Sequence, residues 1–469
     1  MIGDLKPYVD YKDSGLPWIG QVPRHWETRR LRHACGMRVS NVDKHTTPGE
    51  TPVRLCNYVE VYKNDRIRET TRFMSATASE DERIRFGIRE GDVLITKDSE
   101  QWNDIGVPAL VEFEAPDLVC GYHLAILRPR VGLLGAFLHR VLESHYIAAQ
   151  FHVEANGVTR YGLSQGAILG VGIPLPPVAE QEAIVRFLDW AKGRIERTIR
   201  SKRQVIKLLT EQKQTITYRA VTRGINADIP LKRSGIEWLG DVPQHWEVRR
   251  CGSLFVEVVD TGHPTALLLS IDRFKGVITQ AETGRKTRAS EDRSAYKRVR
   301  PGQLAYNLMN AFMGSLGFSA HDGIVSPAYA VAKPRSKIEP GYFHELFRTT
   351  AYTGEFNRLS YGIMYERNRL YFERFKLVPV LIPPLDEQRE IVQAIEKQTA
   401  ELNETIARYE SEIELLREYG VRLVADVVAG RLNVLEFAAG LPEQDTLDTA
   451  NDSVDDLREA ESTDEEAEA

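Results

Sequence analysis

The chain has 469 residues, 42% of them apolar and 27% charged, an ordinary balance for a globular protein with room for two or three cored domains. No apolar run approaches the roughly 18 residues of a membrane helix, and Met1 to Lys6 lack a signal-peptide core, so no membrane partner and a cytoplasmic location are expected. Cys35, Cys56, Cys120 and Cys251 lie far apart with no Cys-x-x-Cys pair, which argues against a zinc site and a disulfide framework. Residues 443–469 hold twelve acids against one arginine, a net −11. Residues 1–442 therefore carry +5 of the overall −6, a mildly basic body compatible with a nucleic-acid partner.

Taken in order, the chain begins with a turn-rich lead-in. Ser14 to Arg30 reads Ser-Gly-Leu-Pro-Trp-Ile-Gly-Gln-Val-Pro-Arg-His-Trp-Glu-Thr-Arg-Arg, and Ser234 to Arg250 matches it at eleven of seventeen positions, 220 residues on. Chance does not produce that, so the chain is an internal duplication. Trp18, Trp26, Trp238 and Trp246 give the two lead-ins large apolar anchors. His25 and His245, each beside a tryptophan in a duplicated structural segment, read as hydrogen-bonding anchors rather than catalytic residues.

One variable block per half follows, roughly 31–173 and 251–380, and both read as mixed α/β. Gly91 to Thr96 and Gly302 to Asn307 are each a glycine turn followed by a strand. Leu124 to Arg130 and Tyr329 to Arg335 predict a second shared strand ending at a proline. Phe137–Ser144 and Tyr342–Thr349 predict short amphipathic helices. Tyr161-Gly162 and Tyr361-Gly362 look like matching positions further on. Between these landmarks the loops differ almost completely: Thr96 to Asp104 faces Asn307 to Met313 across the repeat.

Each half ends in a long helix. In Val178 to Gly224, Ile184, Leu188, Ala191, Ile195, Ile199, Val205, Leu209, Ile216 and Ala220 keep a three-four rhythm. Leu385 to Gly430 repeats it with Ile391, Ile395, Leu402, Ile406, Tyr409, Ile413, Leu416, Leu423 and Val427. Pro-Pro-x-x-Glu-Gln opens both, at Pro176 to Gln181 and Pro383 to Gln388, and glycine closes both. At about 1.5 Å per residue, some 45 residues make a rod of roughly 68 Å, which needs a partner to bury its stripe. Two equal rods predict an antiparallel coiled coil, with Lys202, Gln212 and Gln398 as polar breaks that fix register. The predicted organisation is a first domain over 1–177, a helix over 178–224, a second domain over 225–384, a helix over 385–434 and an acidic, disordered tail over 435–469.

No catalytic signature is present. There is no Asn-Pro-Pro-aromatic tetrapeptide, no Gly-x-x-x-x-Gly-Lys-Ser/Thr phosphate loop and no metal-ligand spacing among the histidines, so neither a catalytic nor a metal site is assigned. Asp98 and Glu100 could form a carboxylate pair, but the matching place in the second half holds Leu308 and Asn310, which rules out a duplicated acid–base site. Glu182 and Glu387 read as acids complementing helix dipoles.

The duplicated Trp-x-Gly-x-Val-Pro-x-His-Trp-Glu lead-in (Trp18 to Glu27, with Gln21 and Asp241 as variants), the Pro-Pro-x-x-Glu-Gln helix starts and the Gly91-Asp92-Val93-Leu94-Ile95 strand together resemble the specificity subunits of type I restriction–modification enzymes. The resemblance covers residues 1 to about 434. It implies an α/β fold of two target-recognition domains joined by two long antiparallel coiled-coil helices, each domain reading one half of an asymmetric bipartite sequence on double-stranded DNA. It implies two docked methyltransferase subunits and, optionally, two motor–nuclease restriction subunits. It implies no cofactor in this chain: S-adenosylmethionine belongs to the methyltransferase, and ATP and Mg²⁺ to the restriction subunit. On this reading the DNA-contact candidates are Lys97, Ser99, Asn103, Arg160 and Tyr161 in the first half and Asn307, Asn310, Tyr361, Arg367 and Arg369 in the second, since Arg and Lys suit guanine edges or phosphates and Asn suits adenine. Helix pairing falls to Ile184, Leu188, Ile195, Leu209 and Ile216 against Ile391, Ile395, Leu402, Ile413 and Leu416. The competing readings are a duplicated protein-binding scaffold and a nuclease built on Asp98 and Glu100.

Overall fold

A computed structural model describes residues 5–284, 292–362 and 368–442 of the chain. They form two compact units, one from residues 5–201 and 411–442, the other from 202–410. The acidic stretch 443–469 lies outside the described residues.

The duplicated lead-in folds the same way twice. In the first unit Tyr11–Asp13 pairs with Gln21–Pro23, and Glu27–Arg30 then lies antiparallel to Gly172–Leu175. In the second, Leu231–Arg233 pairs with Asp241–Pro243 and Glu247–Arg250 with Pro379–Ile382. Each variable block is thus tied off at its base, and its loops hang from a fixed frame.

The frame inside each block is one sheet. In the first unit Val93–Thr96 is central and wholly buried, flanked antiparallel by Leu124–Pro129 and Pro108–Val111, with Cys35–Val39 and Arg66–Ile67 at the edges. Four apolar or small residues run consecutively because both faces are covered. Val93 and Ile95 pack with Phe137, Leu138 and Val141 of the helix Gly135–Glu143. Leu94 and Ile126 face the core beneath the extra sheet of Leu118–Cys120, Thr51–Cys56 and Met74–Ala78. The second unit keeps the strand order with Phe255–Glu257, Tyr329–Pro334, Leu304–Asn307 and Leu316–Phe318. Both expected shared strands are present. The expected short helices are Gly135–Glu143 and Pro340–Arg348. Each is stopped by a hydroxyl turned back on its last turn, Ser144 Oγ donating to the Val141 carbonyl (2.6 Å) and Thr349 Oγ1 to that of Leu346 (2.8 Å).

The long helices run Val178–Arg223 and Leu385–Val428. Within each unit they are antiparallel: in the first, Gly420 lies against Ile195 while Gly430 lies against Trp26, which bonds Glu180, and in the second the Lys202 ammonium sits 4.6 Å from the Tyr409 ring centroid while Gly224 lies against Glu387. Ile184, Leu188, Ile391, Ile395 and Ile413 are buried, whereas Ile195, Leu209, Ile216, Leu402 and Leu416 are only half-buried. The ends of the helices are covered by domain cores and the stretches between them chiefly by each other. Two sequence expectations change here. Val205 is exposed and Ile206 takes its place, because paired helices keep a 3.5-residue repeat rather than a drifting 3.6. Gln212 and Gln398 are exposed; the polar seam residues are Lys202, Lys213, whose ammonium donates to Asn403 Oδ1 (2.8 Å), and buried Thr399, whose hydroxyl donates to the Ile395 carbonyl (2.8 Å).

The second helix stops at Val428, not 434. Gly430 takes a left-handed conformation (φ +71°), and Leu435–Ala439 forms a separate short helix where a tail was expected. Phe437 packs on Phe187 and Trp190 at ring-centroid distances of 5.4 and 4.9 Å, so these apolar residues are core, not tail. Gly224 closes the first helix likewise (φ +76°). A Cβ on Gly430 would stand 2.3 Å from Pro23 Cδ and 3.0 Å from Trp26, whereas one on Gly224 would meet nothing closer than 3.3 Å. Gly430→Ala is therefore expected to lower the melting temperature of its unit clearly more than Gly224→Ala, a difference calorimetry of the two variants resolves.

Candidate nucleic-acid interface

The loops that could meet a ligand are positioned by a junction built twice. In the first unit one carboxylate, Glu180 in the first turn of the long helix, receives Trp26 Nε1 (2.9 Å) and the Tyr8 hydroxyl (3.2 Å) and pairs with His25 Nε2 (2.6 Å). In the second, Glu387 receives Trp246 Nε1 (3.0 Å) and pairs with His245 Nε2 (2.7 Å). The anchor role expected of the histidines is what the geometry shows. Glu387 does more than complement a dipole, and its counterpart is Glu180, not Glu182. The adjoining glutamines fasten the other side: Gln181 accepts from Leu134 N (2.9 Å) and donates to the carbonyls of Gly132 and Pro176 (both 2.8 Å), and Gln388 accepts from Glu339 N and donates to the Pro383 carbonyl (both 2.9 Å). Pro-Pro-x-x-Glu-Gln is therefore the clamp that binds lead-in, frame and helix start.

At the far end of the central strand the first unit gathers several predicted residues. Leu163 N donates to the Lys97 carbonyl (2.9 Å), and Tyr161 pairs across from Ser99. Asp98 Oδ2 accepts from Lys97 Nζ (2.6 Å) and from His123 Nδ1 (2.8 Å). Burial alone would push the Asp98 carboxyl up, but these two hydrogen bonds outweigh it and hold it below its usual range. Asn103 and Arg160 stand exposed on flanking loops. Ser99 does not present itself: it is 5% exposed and its Oγ accepts from Gln101 N (3.2 Å), a turn role its small hydroxyl suits. Around the strand end lie aromatics not singled out from sequence: exposed Trp102, edge-on to His152, and Tyr58 stacked on Tyr62 at 5.5 Å.

The second unit assembles its candidates at the equivalent place. Leu370 N donates to the Leu308 carbonyl (2.8 Å), and Tyr361 and Arg369 exchange backbone hydrogen bonds (3.2 and 3.0 Å). Asn310 and Arg369 are exposed, and exposed Tyr361 packs against Tyr371 beneath the Arg374 guanidinium. Asn307 is half-buried, with Oδ1 accepting from Met309 N (2.9 Å). Arg367 lies outside the described residues. The match of Tyr161-Gly162 to Tyr361-Gly362 does not survive. The bridge Tyr361–Arg369 corresponds to Asn156–Gly162, so Tyr361-Gly362 answers to Asn156-Gly157 and a longer loop follows in the second unit. Likewise Thr96 lies opposite Leu124 and Asn307 opposite Tyr329, so Asp98 and Glu100 correspond to Met309 and Ala311. The carboxylates are still not duplicated.

A partly buried ionic network centred on buried Arg140 ties the first unit to its helix. Arg140 bonds Asp189 (2.8 Å), Asp65 (3.2 Å) and Glu143 (2.7 Å); Arg66 joins Asp189 (2.8 Å) to Glu112, and Lys192 joins Glu143 to Asp65. Ligand atoms of Asp65, His139 and Glu143 lie within 4.8 Å of one another. Spacing alone could not show this, because Asp65 comes from a distant strand end. Arg140 and Lys192 already balance those carboxylates, so a divalent ion would bring unmatched positive charge into a buried site. Burial pushes the His139 imidazole down despite Asp65. At the positions matching Arg140 and Glu143, the second unit holds Glu345 and Arg348. There burial pushes the Glu345 carboxyl up and the Arg348 guanidinium down to about 10.

No family model matches the chain. A putative type I restriction enzyme specificity subunit, MjaX, from Methanocaldococcus jannaschii is 22% identical over 237 residues, half of this chain and 54% of that protein, so the match spans about half the relative's length. A chain from a solved structure concerning complex assembly and conformational transition of the type I R-M system superposes with a TM-score of 0.60 at 16% identity, covering 87% of this chain and 98% of that one. The chain shares the fold of that chain of the type I R-M system. The HsdS subunit from Thermoanaerobacter tengcongensis aligns over 88% of this chain and 98% of its own at 18% identity, with a TM-score of 0.44. No helix among the described residues is long and apolar enough to cross a membrane.

Proposed function

We propose that the chain is the non-catalytic DNA-recognition subunit of a type I restriction–modification complex. Each domain reads one half of an asymmetric, split sequence on double-stranded DNA. The helices set the separation of the halves and carry two methyltransferase subunits, which bind S-adenosylmethionine; motor–nuclease subunits using ATP and Mg²⁺ join optionally. The complex works in the cytoplasm.

One observation carries this reading. The same frame, with the same clamp at its base, holds chemically unlike residues at equivalent strand ends: Lys97, Asp98 and His123 in one unit, Leu308, Met309 and Ala328 in the other. A duplicated protein with one task would keep those residues alike; two readers of two sequences would not. On this reading, exchanging residues 31–173 for the block of another family member changes one half of the methylated motif and leaves the other half and the spacing intact. Methylated-base sequencing of the host genome checks this, and a change in both halves would overturn the assignment of one domain to one half-site. Duplex affinity should also fall steeply with salt, as phosphate contacts require.

A further inference from the structure

His123 sits at φ +70°, the one non-glycine residue in the left-handed region among the described residues. Side chains other than Asn, Asp and His seldom tolerate that region, and such conformations persist where the surroundings impose them. Here the His123 carbonyl accepts from Lys97 N (2.9 Å), and its imidazole reaches Asp98. Because ionised Asp98 only accepts, His123 Nδ1 must donate. The Lys97 and His123 bonds both fall on Oδ2. What faces Oδ1 is Gly162, where a Cβ would stand 3.0 Å away. The cluster therefore holds an ammonium with donors left over beside a carboxylate whose second oxygen meets a glycine rather than a side chain, the two side chains 22% and 16% exposed, at the strand end where the loops of the first unit converge.

That pairing matches one base-pair edge. In the major groove a G·C pair presents the guanine N7 and O6 acceptors next to the cytosine N4 donor; an A·T pair interposes the adenine N6 donor and ends in a methyl group. We propose that Lys97 and Asp98 together read a G·C pair in the half-site of the first domain, Lys97 donating to guanine and Asp98 Oδ1 accepting from cytosine N4. His123 is the positioning residue that fixes the Asp98 carboxylate. The inference rests on the DNA-recognition reading above and adds a base pair to it. Leu308, Met309 and Ala328, at these places in the second domain, supply no such pair.

The test is methylated-base sequencing of the host carrying the full chain as wild type, Lys97→Met, Lys97→Arg, Asp98→Asn or His123→Ala. The wild type should require a G·C pair in one half of its motif. Lys97→Met and Asp98→Asn should relax that one position by about 10- to 100-fold, His123→Ala should relax the same position less, and Lys97→Arg should keep the guanine requirement. The other half of the motif serves as the folding control and should not change. A half-motif without a G·C pair, or a uniform loss of methylation in Lys97→Met with the motif unaltered, would overturn the proposal and leave the DNA-recognition reading standing. Absence of any motif that depends on the gene would sink that reading instead.

Discussion

Replacing Arg140 with leucine is expected to destabilise the first domain by about 3–5 kcal/mol. The loss comes less from the missing attraction than from what stays behind: Asp65, Glu143 and Asp189, three partly buried carboxylates that share this one buried guanidinium. Adding Asp189→Leu removes one stranded charge and should recover part of the loss, which a double-mutant cycle would read. The same groups set an acid limit. Burial, the largest influence on each, pushes these carboxyls up, but Arg140 with Lys192 or Arg66 outweighs it and holds all three below their usual range. A carboxyl depressed in the folded state contributes stability that is complete above its unfolded value, near pH 4, and is lost as pH falls through the folded value. Wild-type stability should thus hold down to about pH 4 and then decline. In Arg140→Leu burial lifts these carboxyls instead, so the deficit against wild type should be largest near neutral pH and shrink as pH falls and they protonate, as followed by denaturation monitored by circular dichroism at several pH values.

The second large effect is expected at the clamp. Glu180→Ala leaves the indole N–H of fully buried Trp26 without its acceptor and releases the Tyr8 hydroxyl and His25 together, for a loss of about 2–3 kcal/mol. Glu387→Ala removes the acceptor of two groups rather than three and should cost less. The readout is amide hydrogen exchange in the ladder of Glu27–Arg30 with Gly172–Leu175, which should quicken in Glu180→Ala while the matching ladder of the second unit stays protected. Equal quickening in both ladders would contradict the local role of each clamp.

Much of the frame was legible because duplication doubles every signal. The lead-in, the strand after Gly91 and Gly302, and the two helix starts could each be checked against a copy. What was missed depended on contacts that no repeat encodes. The Glu180 clamp was hidden because His25-Trp26 and Glu180-Gln181 recur as separate motifs more than 150 residues apart, with nothing local to join them. The Arg140 network was hidden because the second copy carries Glu345 there, so comparing the halves erased the signal. Polarity points to Lys97 and Arg369 at the strand ends, but it gives no sign of the backbone angle that sets His123 apart, nor that the Ser99 hydroxyl is turned inward to Gln101 N and Tyr58. The slip at Tyr361-Gly362 has a plain origin, a length difference in a loop whose ends are fixed by hydrogen bonds and whose middle is not.

The second unit is a single stretch of chain, 202–410, but the first is not. Its Tyr11 hydroxyl donates to the Gly430 carbonyl (3.0 Å), its Lys6 carbonyl accepts from Asn433 N (2.8 Å), and Gly430 closes over Trp26. During synthesis the ribosome therefore delivers everything the later domain needs before it delivers the last parts of the earlier one. A nascent chain cut off near residue 410 would hold a finished second domain and a first domain with Phe187, Trp190 and Trp26 still waiting for their cover. The domain made first is the one completed last, and truncated products should be recognised by quality control through that end of the molecule.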